Sequence, residues 1–166
     1  MYLSWLRYLA AFAALLLAQV LVLNHIHLFN CATPLLYLYM VLLFPRNYPK
    51  WGSLLWCFCL GLGVDIFSNT PGVAAASMTL VALVVPYFFE LFLPRESAED
   101  LHPSIPSLGI GKYILFTLVI TLLYCITFYS LETFSFFNWQ QWLLNIGGST
   151  LLTSILIIVL DNLRER

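Results

Sequence analysis

The chain has 166 residues, 61% of them hydrophobic and 9% charged, with a formal net charge of −1. A soluble domain carries roughly 25% charged residues and a nucleic-acid-binding domain a basic surplus, so both classes are excluded. The apolar residues gather into stretches of bilayer length, and the longest polar segment, Pro94–Gly111, leaves no room for a separate soluble domain.

The seven basic residues fall in alternate gaps between those stretches. Arg7 lies near the N-terminus, Arg46 and Lys50 in the second gap, Arg95 and Lys112 in the fourth, and Arg164 and Arg166 at the C-terminal end. The gaps His25–Thr33, Ser68–Gly72 and Glu132–Gln141 hold none. Cytoplasmic loops retain Lys and Arg during insertion. The alternation therefore predicts an all-α integral membrane protein, a single domain of six transmembrane helices with both termini in the cytoplasm.

The first helix is expected over 5–23, anchored by Trp5, Arg7 and Tyr8, and too long for the apolar core of a cleavable signal. Ala10, Ala14 and Ala18 recur every four residues on one face, where another helix could approach closely. The second helix is expected over 31–44, with Thr33 as N-cap and Pro34 at the first helical position, ending before Pro45. Residues 33–44 would make a helix only about 18 Å long at about 1.5 Å per residue, short of a hydrocarbon core of about 30 Å. Leu28–Asn30 could extend it, and the charge alternation requires a crossing here.

The third helix, over 51–67, carries Ser53, Cys57, Gly61 and Asp65 at a spacing of four. The fourth, over 72–93, follows Asn69-Thr70-Pro71-Gly72 with the same cap-then-proline signal. Pro86 lies inside it and frees the carbonyl of Ala82. Pro94–Gly111 reads as a cytoplasmic loop broken by Pro103, Pro106, Gly109 and Gly111. The fifth helix is expected over 113–131 and the sixth over 142–163, with Trp139 and Trp142 at the external interface. The outer half of the sixth is small and polar, from Asn145 through Ser149 and Thr150 to Ser154, which suits a packed helix.

Asp65 is the one acid that lies well inside a predicted span. It is either an ion or proton site, or a structural acid accepting hydrogen bonds from Gly72 and Val73 or from Ser68, Asn69 or Thr70. The structural reading is preferred, since no second intramembrane acid or base offers a relay partner. Glu90 and Asp161 lie near cytoplasmic helix ends and are expected to be solvated. His25 and His27 share an external turn without a third metal ligand. His102 is a loop residue with no evident partner. Among the four cysteines, Cys57 and Cys59 point in different directions on a helix, Cys125 sits in an apolar run and Cys31 lies near a loop; packing is preferred to redox or metal chemistry for all of them. No catalytic motif appears, and no cofactor or metal is expected.

The stretch from Phe58 to Gly72, FCLGLGVDIFSNTPG, followed by Ala74-Ala75-Ala76, resembles the rod shape-determining MreD family. That family has a Gly-Leu-x-x-Asp motif in its third helix, then a glycine-containing turn and a small-residue helix start. Phe92-Leu93-Pro94-Arg95-Glu96 and Glu132-Thr133-Phe134-Ser135-Phe136 extend the likeness. The resemblance implies a bacterial inner-membrane protein without catalysis, similar in fold to the substrate-binding subunits of energy-coupling-factor transporters. It also implies partners: an MreC-like single-span protein, a RodA-type glycosyltransferase with its transpeptidase, and MreB-like filaments, which together organise lateral peptidoglycan synthesis. Membrane lipid is a further expected partner and nucleic acid is not. The structural or partner-interface candidates are Ala14, Gly61, Asp65, Asn69, Gly72 and Ser149. The rival reading is a small-molecule-binding membrane subunit of a transporter, which would need several polar groups around one cavity.

Overall fold

The computed structural model describes residues 2–22, 33–93, 101–133 and 138–164. The expectations for His25, His27, Leu28–Asn30, Cys31, Arg95 and the Phe134-Ser135-Phe136 run lie outside the described residues. The regular elements of the described chain are all helical, with α1 at Tyr2–Leu21, a 3-10 turn at Leu36–Leu38 running into α2 at Tyr39–Leu42, and α3 at Lys50–Ser68. Then follow α4 at Val73–Phe92, the single turn α5 at Ile105–Leu108, α6 at Ile110–Thr133 and α7 at Trp139–Arg164. Helices α3, α4, α6 and α7 are long and apolar enough to cross a membrane, and α1 contributes a shorter apolar helix, Trp5–Leu21. The molecule is a multi-pass helical membrane protein.

Apolar residues surround these helices on all sides, as befits elements between a core and lipid. On α6, Phe116 and Ile120 are buried while Ile114, Leu115, Leu122 and Ile126 face outward. Neighbouring helices pack in the order α1, α3, α4, α6, α7, and the 3-10 turn with α2 touches α1, α3, α4 and α7. Residues 34–44 thus form the centre of the bundle: Tyr37, Leu38 and Met40 are wholly inaccessible.

The six-helix bundle is corrected at this point, because the second element is not a helix over 31–44. Thr33, Pro34 and Leu35 are non-helical, and only Leu36–Leu42 is helical, half of it in the tight 3-10 form. Irregular backbone at membrane depth is tolerated only where protein satisfies its polar groups, and burial on every side provides that. The same geometry reduces the length shortfall. Thr33 bonds to Ser149 and Leu35 to Thr153, so two residues of the segment run beside four residues of α7. An extended chain advances about 3.3 Å per residue against 1.5 Å for a helix.

The described basic residues share one end of the bundle. Arg7 and Arg164 line one groove. Arg46 pairs with Glu90 at 3.8 Å, and its N–H donates to the carbonyl of Leu101 at 2.9 Å. Lys50 opens α3 with its ammonium 4.5 Å from the centre of the Tyr87 ring, and Lys112 lies in the first turn of α6. The α3–α4 turn, Thr33, and the meeting point of Tyr129 and Ser149 lie at the far end. The loop that follows α4 packs back on the basic end through α5, whose start is closed by a reciprocal Ser104–Ser107 capping box.

Candidate functional site

The sequence motif at the end of α3 builds a closed helix–helix junction. Asp65 is 5% exposed. Its Oδ1 accepts from the backbone N–H of Ala74 at 2.9 Å and from the hydroxyl of Thr70 at 2.8 Å; its Oδ2 accepts from the N–H of Ala75 at 2.9 Å. Ala74 and Ala75 are the second and third residues of α4, the positions whose orphan donors a capping side chain normally satisfies. Asp65 therefore caps α4 from the preceding helix, and the positive end of the α4 dipole faces its carboxylate. The expected backbone donors Gly72 and Val73 are corrected to Ala74 and Ala75, and the expected cap-then-proline start is replaced by this remote cap.

Three further motif residues make that geometry possible. Asn69 ends α3 in the left-handed conformation (φ 57°), and Gly72 precedes α4 at φ 78°. Both turns in a short connection need residues that tolerate positive φ. Gly61, one turn before Asp65, faces α4 directly: a Cβ there would lie 2.5 Å from the Cα of Ala75 and 2.7 Å from its nitrogen. The small-residue face of α3 is thus used inside the bundle, to bring α4 within reach of the Asp65 carboxylate.

A second polar group supports the irregular segment 33–44. The hydroxyl of Tyr129 lies 2.9 Å from that of Thr33 and 2.6 Å from that of Ser149, while the N–H of Thr33 donates to Ser149 Oγ at 3.2 Å. The N–H of Leu35 donates to Thr153 Oγ1 at 3.1 Å. Gln19 of α1 is 1% exposed and uses both ends of its amide: Oε1 accepts from the N–H of Leu36, and Nε2 donates to the carbonyl of Pro34, each at 3.0 Å. Below this layer the Tyr37 and Tyr124 hydroxyls share a hydrogen bond, with their rings edge to face.

Asp161 completes the frame near the basic end and corrects an expectation. It is 1% exposed rather than solvated. Its Oδ1 accepts from the Tyr39 hydroxyl at 3.1 Å, and its Oδ2 from the N–H of Ile105 at 3.1 Å. It joins the first residue of α2, in the middle of the irregular segment, to the first residue of α5. Its register was available in the sequence: Thr150, Ser154, Ile157 and Asp161 lie on one face of α7 and all are buried. Gln19, Tyr39 and Tyr129 were missed. Gln19 carried a signal as the single amide in the apolar run of α1, since intramembrane polar groups are functional or structural by default.

The remaining candidates separate by position. Ser149 is wholly buried, whereas Ala10 and Ala14 on α1 are exposed. Cys57 and Cys125 are buried and Cys59 is exposed. Glu90 is surface-exposed and pairs with Arg46. His102 lies in the loop before α5, where its carbonyl accepts from Ser107 Oγ at 2.9 Å and the residue lines the groove of Arg7 and Arg164. Asn69 is exposed at the far end and Gly72 beside it, with open space where a side chain would stand.

Comparison of the chain with protein-family models, with curated proteins and with solved structures finds no match.

Proposed function

We propose that this chain is a non-catalytic scaffold of the MreD type in the bacterial cytoplasmic membrane. In this reading it crosses the membrane six times, four times as a long helix, once as the shorter α1 and once as the buried irregular segment, with its basic end and both termini in the cytoplasm. It binds the membrane helix or adjacent external segment of an MreC-like single-span partner. Through that partner it contributes to an assembly with a RodA-type glycosyltransferase, its transpeptidase and MreB-like filaments, and so to lateral wall synthesis and rod shape. The same reading carries with it a fold like that of energy-coupling-factor substrate-binding subunits.

The observation that carries this reading is the engagement of the intramembrane polar groups. Both oxygens of Asp65 are bound to the start of α4. Gln19, Tyr129, Ser149 and Thr153 satisfy the backbone or side chains of the irregular crossing. These groups hold the architecture and are not directed at a solute. The basic end supports the orientation through the rule that cytoplasmic segments retain Lys and Arg. Of the small-residue stripes, those of α3 and α7 and the Ala74, Ala75 and Ser77 face of α4 are occupied inside the bundle, which leaves α1, through Ala10 and Ala14, for close approach by another helix.

Co-expression with an MreC-like single-span protein tests the proposal. Stoichiometric recovery from detergent is expected, reduced at least about tenfold in Ala10→Leu and Ala14→Leu, each with the melting temperature of the unsubstituted protein. Recovery that is unaffected by both substitutions, or a purified chain that retains a vitamin-like solute, would turn the assignment toward the transporter subunit.

A further inference from the structure

A groove of about 830 Å³ opens at the basic end between the first turns of α1 and the last turns of α7. That volume lies within the roughly 300–1,000 Å³ of small-ligand clefts. Its lining divides by depth. Arg7 and Arg164 stand at its mouth, one from each helix, and Ala11, Ala14 and Leu160 line the part nearer the middle of the bundle. From Arg7 to Ala14 the groove follows α1 for about 10 Å at 1.5 Å per residue. Neither guanidinium is paired with a carboxylate among the described residues, where the ion pair present is Arg46–Glu90.

Two guanidiniums across a cleft form a fork for a phosphate, which Arg binds in bidentate fashion. Here the fork sits at the end of a membrane helix, at headgroup level. Below it Ala11, Ala14, Leu15, Leu43 and Leu160 line the walls beside Tyr8 and Tyr39, a lining that suits a lipid with an anionic head and a hydrocarbon tail. Basic pockets between membrane helices on the cytoplasmic side take anionic lipid headgroups for the same reason.

We propose that this groove is a specific site for one anionic phospholipid of the adjacent leaflet. The phosphate sits between Arg7 and Arg164, and one acyl chain lies along Ala11, Ala14 and Leu160. The lipid closes a gap that α1 and α7 leave at this end, and the groove shares Ala14 with the face of α1 proposed above for a single-span partner.

Native mass spectrometry of the full-length protein in mild detergent, with phosphatidylglycerol or phosphatidylethanolamine added back after delipidation, decides the matter. One phosphatidylglycerol per chain is expected, bound about tenfold or more tightly than phosphatidylethanolamine. The double substitution Arg7→Gln with Arg164→Gln should abolish that preference. Arg7→Lys with Arg164→Lys should keep most of it, and Lys112→Gln, at the same end but outside the groove, should leave it unchanged. Millimolar inorganic phosphate should not displace the lipid. Equal retention of the two lipids by the unsubstituted protein overturns the proposal even if the glutamine variant fails to fold. So does undiminished preference in the folded glutamine variant. Displacement by inorganic phosphate would mark a free-anion site, and displacement by a bound single-span protein would give the groove to a helix; either result also overturns it.

Discussion

Gly61 and Ala75 meet with their backbones in contact: a Cβ on Gly61 would stand 2.5 Å from the Ala75 Cα. Real side chains do not approach backbone so closely, and neither atom is a flexible end that can swing aside. Gly61→Ala should therefore force α3 and α4 apart, at a cost of about 1–3 kcal/mol or more, and stretch the bonds from Asp65 to Ala74 and Ala75. The expected result is a clear drop in melting temperature in detergent. Gly147→Ala is the control. It also replaces a helical glycine, but it meets open space and should be neutral or stabilising by up to about 1 kcal/mol. Equal melting temperatures for the two variants would remove the close contact from the account.

Asp65 offers two oxygens to three donors. In Asp65→Asn one acceptor oxygen remains, and the amide NH₂ is turned toward a donor it cannot satisfy. In Asp65→Leu both backbone donors of α4 lose their partner, at about 1–3 kcal/mol for each buried group. The expected order of stability is Asp, then Asn, then Leu. Amide hydrogen exchange at Ala74 and Ala75 should rise in the same order. An Asn variant as stable as the original chain but without activity in cells would assign Asp65 an ionisable role.

Tyr37 and Tyr124 can be tested as a pair. Each ring is inaccessible, and the two hydroxyls serve each other. Tyr37→Phe leaves the Tyr124 hydroxyl buried without its partner, and the reverse substitution does the same to Tyr37. The double variant removes both hydroxyls while keeping the edge-to-face rings. A double-mutant cycle in detergent should thus give a coupling of about 0.6–1.7 kcal/mol, as found for hydrogen bonds between membrane helices. Additive effects would mean that the contact contributes nothing to stability.

How far the structure could be read in advance depended on how local each interaction is. Helices α3, α4, α6 and α7 announce themselves as apolar runs between turn residues, and those runs need no tertiary information. Asp65 was legible for the same reason, since its partners lie only five, nine and ten residues ahead; the shift from Val73 to Ala74 and Ala75 came from misplacing the helix start. The irregular path of 33–44 was not legible. A segment buried on all sides loses the periodicity that reveals a helix, and Thr33-Pro34 reads as a helix start when only local signals are weighed. Its backbone donors are taken instead by Gln19 of α1 and by Ser149 and Thr153 of α7, the latter more than 100 residues away. Asp161 is misleading in the same manner. It sits near a helix end, yet Tyr39 and the folded-back start of α5 cover it from 122 and 56 residues away.

The same burial changes what Ser149 can report. Replacing it with leucine tests a partner surface only if the residue is exposed, and it is not. Ser149→Leu should lose the bonds to Tyr129 and Thr33 and place extra volume in a packed layer, at a cost of several kcal/mol. Reduced expression and a lower melting temperature are expected even without any partner. Ala14→Leu, on an exposed face, should leave the melting temperature within about 2 °C of the original. The reverse pattern in thermal unfolding would require α1 and α7 to exchange their roles.

The path of residues 33–44 carries the final prediction, which concerns topology. Thr33 is fixed at the far end by Tyr129 and Ser149, and Arg46 is fixed at the basic end by Leu101 and Glu90. The segment between them runs the depth of the bundle without being a full-length helix, so length-based helix counts are expected to overlook it. If it crosses the membrane, the gap after it lies on the same side as the loop before α5. Reporter fusions after Asn47, Glu99 and Arg166 should then all read cytoplasmic, and fusions after Asn30 and Phe136 external, as the retention of Lys and Arg in cytoplasmic loops requires. A fusion after Asn47 that reads external would mean that the segment is re-entrant and that the basic end is divided between the two faces of the membrane.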